Sequence, residues 1–148
     1  MEKLDLVKIL KRESIVDSLV NKLQLFFMTR DNLSSKRGFY VYGAPGTGKT
    51  ELVMRSLKAA GFDAIRYDAG DIRNKNVIES ITKNQMADVN IMSLWKMKAK
   101  KIVIVMDEID GMNSGDKGGI NALIKLIRPK KTKKQKNESN NYNPIVCI

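Results

Sequence analysis

Residues 43–50 read Gly43-Ala44-Pro45-Gly46-Thr47-Gly48-Lys49-Thr50, and the fold turns on this octapeptide. It matches G-x-x-x-x-G-K-[ST], a phosphate-binding loop (P-loop). Gly43, Gly46 and Gly48 let backbone N–H groups turn inward around phosphate oxygens, with Ala44, Pro45 and Thr47 completing the cradle. Lys49 brings a positive charge to the β- and γ-phosphates of a nucleotide, and the Thr50 hydroxyl is a magnesium ligand. A random chain of this size would match the pattern well under ~1% of the time. The flanks agree with it. Residues 38–42 (GFYVY) form a β-type run, and residues 50–60 read as a helix that Gly61 stops. That helix starts near Gly48 and aims the positive end of its dipole at the phosphates. The bland alternative is a tight turn between a strand and a helix.

A second motif lies further along. Ile102-Val103-Ile104-Val105-Met106 is a continuous apolar run, as expected of a strand buried on both faces of a parallel sheet, and it delivers Asp107 and Glu108 at its carboxyl end. Ligands of open α/β sheets sit at that end. Asp107 is expected to hold the magnesium ion opposite Thr50, usually through water, and Glu108 to orient and polarise an attacking water as general base. An Asp-Glu pair after apolar residues is weak by itself; 57 positions after Thr50, on a separate strand, it is specific. Asp110 reads either as local turn chemistry or as a further metal ligand.

The remaining pattern supplies the frame. Ile15, Val16, Leu19, Val20, Leu23, Phe26 and Phe27 follow helical spacing, with Ser14 or Asp17 as the capping or opening residue. Residues 62–67 form a second short strand. Residues 74–86 carry Val77, Ile78 and Ile81 at helical spacing, residues 118–127 form another helix ended by Pro129, and residues 144–148 (PIVCI) are a last β-like run. Strands alternating with helices define an α/β fold with a parallel sheet.

Composition bounds the chemistry. The chain has 148 residues, one ordinary domain in length, and 43% of them are hydrophobic, enough for a packed core. It has no His, which excludes His-centred catalysis and His metal sites, and a single Cys, which excludes an internal disulfide or a Cys-cluster zinc site. The first ten residues lack the apolar core of a secretory signal, and no apolar run approaches the ~20 residues that span a bilayer, so no membrane role is expected. The formal charge is +11, which fits an anionic partner, nucleic acid or acidic protein, and equally fits plain solubility. Five lysines crowd residues 130–136 within the Lys/Asn-rich stretch 130–143, read as an exposed loop that either touches DNA phosphates or is simply solvated. Lys117, Gly118 and Gly119 open the helix after the Asp-Glu pair, as a phosphate-binding helix start or a glycine-rich turn. Trp95 packs on the domain surface or stacks on a base, and Cys147 reads as a small buried hydrophobe.

GAPGTGKT together with MDEIDGM resembles the AAA+ ATPases. Residues 107–120 (DEIDGMNSGDKGGI) narrow this to the large subunits of the clamp loader replication factor C, which they resemble in the DGM…GGI block. Residues 61–75 (GFDAIRYDAGDIRNK) resemble the second strand of those subunits and the segment after it, with Gly70 in place of Ser while Asp71 and Arg73 remain. PIVCI resembles the strand before the sensor-1 Asn. The resemblance implies a three-layer P-loop NTPase that binds ATP and Mg2+, with a parallel sheet in the order 5-1-4-3-2. It also implies a subunit working with other clamp-loader subunits to open a sliding clamp and load it at primer–template DNA, in the nucleus or in the cytoplasmic factory of a large virus. Residues 1–148 are then expected to be a partial ATPase core. It comprises an N-terminal helical flank (1–37), a core from the P-loop to the Asp-Glu motif (38–129), the Lys/Asn-rich loop (130–143) and the sensor-1 strand (144–148). The chain is expected to stop before the fifth strand and the helical lid, leaving strand 38–42 as an edge and the chain with little hydrolysis of its own. The other readings are a different AAA+ replication or remodelling ATPase, and a nucleotide-binding structural subunit or basic DNA-binding module without turnover.

Overall fold

The structure is a computed structural model, and it describes residues 6–9, 11–29, 36–68, 101–111, 121, 123–124, 127–128 and 143–148. The expected helix at 74–86, Asp71, Arg73, Trp95, Lys117–Gly119 and the lysines of 130–136 lie outside the described residues. Four strands form one sheet: β1 (Gly38–Tyr40), β2 (Asp63–Tyr67), β3 (Ile102–Met106) and β4 (Ile145–Cys147). Its order is β1-β4-β3-β2 and every pairing is parallel. The expected order holds for these four, and β1 pairs on one side only among the described residues. The chain has the α/β architecture of a P-loop NTPase.

Alternation along the strands sorts the core into two faces. Val103, Val105, Val146 and Ile148 point to one side, where they pack with Leu23 of helix α2 (Glu13–Thr29) and Val53 and Leu57 of helix α3 (Lys49–Ala59). Ile104, Met106, Ile145 and Cys147 point to the other, against Leu123 and Ile127, two of the helical residues 121, 123–124 and 127. Sheet and helices thus make the three expected layers. Strand β3 is buried along its whole length, consistent with its unbroken Ile/Val/Met sequence. Each such side chain withdrawn from water contributes about 1.5–3 kcal/mol before conformational entropy is counted. Aromatic rings close the α2 side: Phe27 stacks on Phe62 with centroids 5.6 Å apart, and Phe26 meets Phe39 edge-on at 6.4 Å.

Helix α2 follows a short α1 (Leu6–Ile9) and a turn in which Lys11 takes a φ of 50°. Two expectations for α2 need correction. It opens at Glu13, and the Arg12 carbonyl accepts from the N–H groups of Ile15 and Val16, so Ser14 and Asp17 lie inside the helix and neither caps it. Ile15 is 53% exposed, because the core-facing stripe begins one turn later, at Leu19.

The far end of α3 follows its sequence closely. Gly61 takes a φ of 80°, its N–H bonds to the Lys58 carbonyl, and the Phe62 N–H bonds back to Leu57. This paired closure satisfies two of the last helical carbonyls and seats Phe62 beside Leu57 in the core. Strand β1 is shorter than residues 38–42, but the Val41 N–H still bonds to the Cys147 carbonyl, at 2.8 Å. Before β1, buried Arg37 donates through Nε to the Asn143 carbonyl at 2.7 Å and accepts from the Ile145 N–H, tying both strand entries together.

Gly61→Ala is expected to destabilise the chain by about 1 kcal/mol, from left-handed backbone alone, since a methyl there meets no atom within 4 Å; the urea midpoint measures it. Cys147 is buried and its thiol is pushed up to about 11 from 9.0 by desolvation. The protonated thiol is the inert form, so iodoacetamide should leave the native chain unlabelled at neutral pH and label it in denaturant. Because the folded value is the higher one, this group's contribution to stability is complete below pH 9 and declines as pH rises towards 11.

Candidate nucleotide site

The site lies at the carboxyl ends of the strands, where the segment after β1 turns into α3. Gly46 and Gly48 take φ values of 73° and 74°, so the loop passes twice through left-handed backbone before α3 starts at Lys49. No side chain caps that helix; its first turn keeps N–H groups without an intrahelical acceptor, the standard setting for an anion. The Lys49 ammonium donates to the carbonyls of Gly43 at 2.9 Å and Ala44 at 3.0 Å, which folds it over the loop. Within the loop, the Thr47 hydroxyl donates to the Ala44 carbonyl at 2.9 Å. Pro45 completes the turn, and both Pro45 and Gly46 line the cleft.

Strand β3 brings in the acidic partner. Asp107 follows β3 directly, its N–H bonded to the Tyr67 carbonyl at 2.8 Å, and it lies on the same side as Val103 and Val105, the side facing α3. The Thr50 hydroxyl donates to Asp107 Oδ1 at 2.9 Å, across 57 residues of chain. The second motif and the loop therefore meet side chain to side chain. The same Oδ1 accepts the Glu108 N–H at 3.1 Å. Glu108 has a φ of 56°, uncommon for a residue with a side chain, and it is exposed at the cleft. Asp110 lies on a single 3₁₀ turn (Ile109–Gly111), exposed at the rim. Among the described residues no three His, Cys, Asp or Glu side chains cluster to hold a metal by themselves. Thr50 and Asp107 offer one hydroxyl and one carboxylate, a donor set that fits Mg2+, which commonly takes one or two protein oxygens and completes its octahedron with water and substrate phosphates.

Every residue expected at the site, from Gly43 to Thr50 together with Asp107 and Glu108, lines this region or forms it. All of them except Ala44 and Thr47, which shape the loop behind it, line an open cleft of about 840 Å3. Two participants escaped the sequence reading, both arginines. Arg12 donates from Nη1 to the Thr47 carbonyl at 2.5 Å, across 35 residues. Arg66 of β2 places Nη2 2.7 Å from Asp107 Oδ2. Arg12 lies outside the motifs, and Arg66 lies within the 61–75 resemblance without a role there; an arginine on β2, an edge strand among the described residues, carries no local signal of where its guanidinium ends. Tyr40 and Tyr42 also line the cleft, their rings stacked with centroids 5.8 Å apart.

Comparison with known proteins agrees with this geometry. The family model described as "ATPase family associated with various cellular activities (AAA)" matches residues 39–147, and the chain belongs to that family of ATPases. Within it, the chain is similar to replication factor C large subunits. It is 31% identical to "Replication factor C subunit 1" of Saccharomyces cerevisiae over 67% of its own length and 12% of that protein's. It is 33% identical to "Replication factor C large subunit" of Methanococcus aeolicus over 69% of its length and 20% of the relative's, and 28% identical to the subunit of that name from Methanococcus maripaludis over 86% and 25%. The chain thus spans a quarter or less of the length of these relatives. Among the described residues no helix is long and apolar enough to cross a membrane.

Proposed function

We propose that this chain is the nucleotide-binding core of a replication factor C-type large subunit, which couples ATP binding and hydrolysis to loading a sliding clamp onto primer–template DNA. The observation that carries the reading is the Thr50–Asp107 hydrogen bond, 2.9 Å long, which joins the two motifs at the carboxyl end of a parallel sheet. A helix start that no side chain caps lies beside it. Similarity to replication factor C large subunits supplies the biological setting.

In this reading the backbone of Gly43, Ala44, Pro45, Gly46, Thr47 and Gly48 cradles the phosphates, with the α3 dipole behind it. Lys49 exchanges its loop carbonyls for phosphate oxygens, a transfer from neutral acceptors to charged ones that favours the bound state. Thr50 and Asp107 would hold Mg2+, which when bound would supply neutralisation of the phosphate charge. Glu108, exposed at the cleft beside Asp107, orients the attacking water and takes up its proton. The domain divisions at 37, 129 and 143 follow the same scheme. Other clamp-loader subunits, the clamp and primer–template DNA are the partners, and the nucleus is the setting for a eukaryotic source.

Two substitutions test the roles separately. Lys49→Ala removes a charge-assisted contact and should weaken binding of a fluorescent ATP analogue in MgCl2 by at least about tenfold. Unchanged affinity would remove the P-loop assignment. Glu108→Gln, made in the complete ATPase subunit, should leave that affinity within about twofold and lower the rate of phosphate release at least about a hundredfold; turnover at the parent rate would end the role given to Glu108.

A further inference from the structure

Asp107 is already fully engaged. Its side chain is 4% exposed; Oδ1 accepts from the Thr50 hydroxyl and the Glu108 N–H, and Oδ2 meets the Arg66 guanidinium at 2.7 Å. A buried carboxylate without a counter-charge is costly, so a cation at Oδ2 is part of how this sheet tolerates Asp107. Arg66 reaches it by a simple route. It sits opposite Val105 in the parallel register of β2 and β3, so Arg66, Val105 and Asp107 share one face, and the guanidinium need only lean one pleat along. Its own side chain is 51% exposed and lines the cleft, so its guanidinium is resolvated when it leaves Asp107. Asp107 cannot leave in return, because its backbone is pinned to Tyr67.

We propose that Arg66 is the resident counter-ion of Asp107 and competes with the divalent cation for it, which lowers the Mg2+ dependence of nucleotide binding by this chain. The inference rests on the reading of Asp107 as a magnesium-holding residue. Without metal, Arg66 keeps the Asp107 charge from repelling nucleotide phosphates bound in the same cleft. With metal, the guanidinium gives up Oδ2, and the pair's energy is subtracted from the gain that Mg2+ brings. Arg66 is therefore a positioning residue acting through Asp107. Its effect falls on the ratio of the affinities with and without metal, a quantity that general damage to the fold does not raise.

The experiment measures Kd for a fluorescent ADP analogue on the full chain, once in MgCl2 and once in EDTA, and takes the ratio of the EDTA value to the MgCl2 value. Arg66→Gln should raise that ratio about fivefold or more, the scale of a partly desolvated ion pair, chiefly by weakening binding in EDTA. Asp107→Asn should lower the ratio towards one, and adding Arg66→Gln to it should cause no further rise, since the partner is gone. If Arg66→Gln does not fold, Arg66→Lys carries the same test: its shorter reach loosens the pair, and the ratio should exceed the parent's. A ratio at or below the parent's in the Arg66 variant, with Asp107→Asn still lowering it, overturns the inference and leaves the site reading standing. An Asp107→Asn ratio equal to the parent's overturns both.

Discussion

The hydrogen-bonded burial of strand β3 is the constraint on which the rest depends. It pairs with β2 on one edge and β4 on the other, and it is covered on both faces. A strand in that position has almost no freedom to shift, since a slip of one residue would turn Val103 and Val105 to the wrong layer. Its carboxyl end is therefore a fixed point. Asp107 stands on it, and Thr50, Arg66 and the Glu108 backbone all arrange themselves around that one carboxylate. The loop is anchored from the other side, because α3 packs Val53 and Leu57 on the same sheet face. Rigid elements thus hold the two halves of the site, and the glycine turns lie between them.

The electrostatics of the cleft follow from the same arrangement. One buried carboxylate is surrounded by donors, while the positive groups Lys49, Arg66 and Arg12 are held on carbonyls or on Asp107. The carbonyls that hold Lys49 and Arg12 are partners that a polyphosphate outbids, because a doubly or triply charged oxygen cluster is a stronger acceptor than a peptide carbonyl. The cleft is thereby prearranged for an anion without exposing an unsatisfied buried charge. The family match and the similarity to replication factor C large subunits fit a site of this character.

Much of this was legible before the structure. Local pattern is enough for GAPGTGKT, since each residue type answers a backbone or charge requirement within eight positions. The same holds for the buried run 102–106, whose length and β-branched content fit a central strand, and for Gly61, whose lack of a side chain is what the helix stop demands. The expected neighbours β1-β4-β3-β2 came from the family resemblance rather than from periodicity, and they hold. Helix caps were less legible. Ser14 and Asp17 have capping side chains, yet α2 starts before them, because the turn through Lys11 and Arg12 sets where the first helical carbonyl lies.

The sequence alone determined the pattern of a phosphate loop and of a carboxylate pair after an apolar run, in a chain with no His and one Cys. These are short-range properties, carried by residues adjacent in the chain. Only the tertiary structure decided which groups share an atom. It set Thr50 on Asp107 across 57 residues, Arg12 on the loop across 35, and Arg66 on the second oxygen of Asp107. The reason is physical: strand register and helix packing govern distances between remote residues, and a single arginine on β2 has no periodicity or spacing to announce where its charge will come to rest.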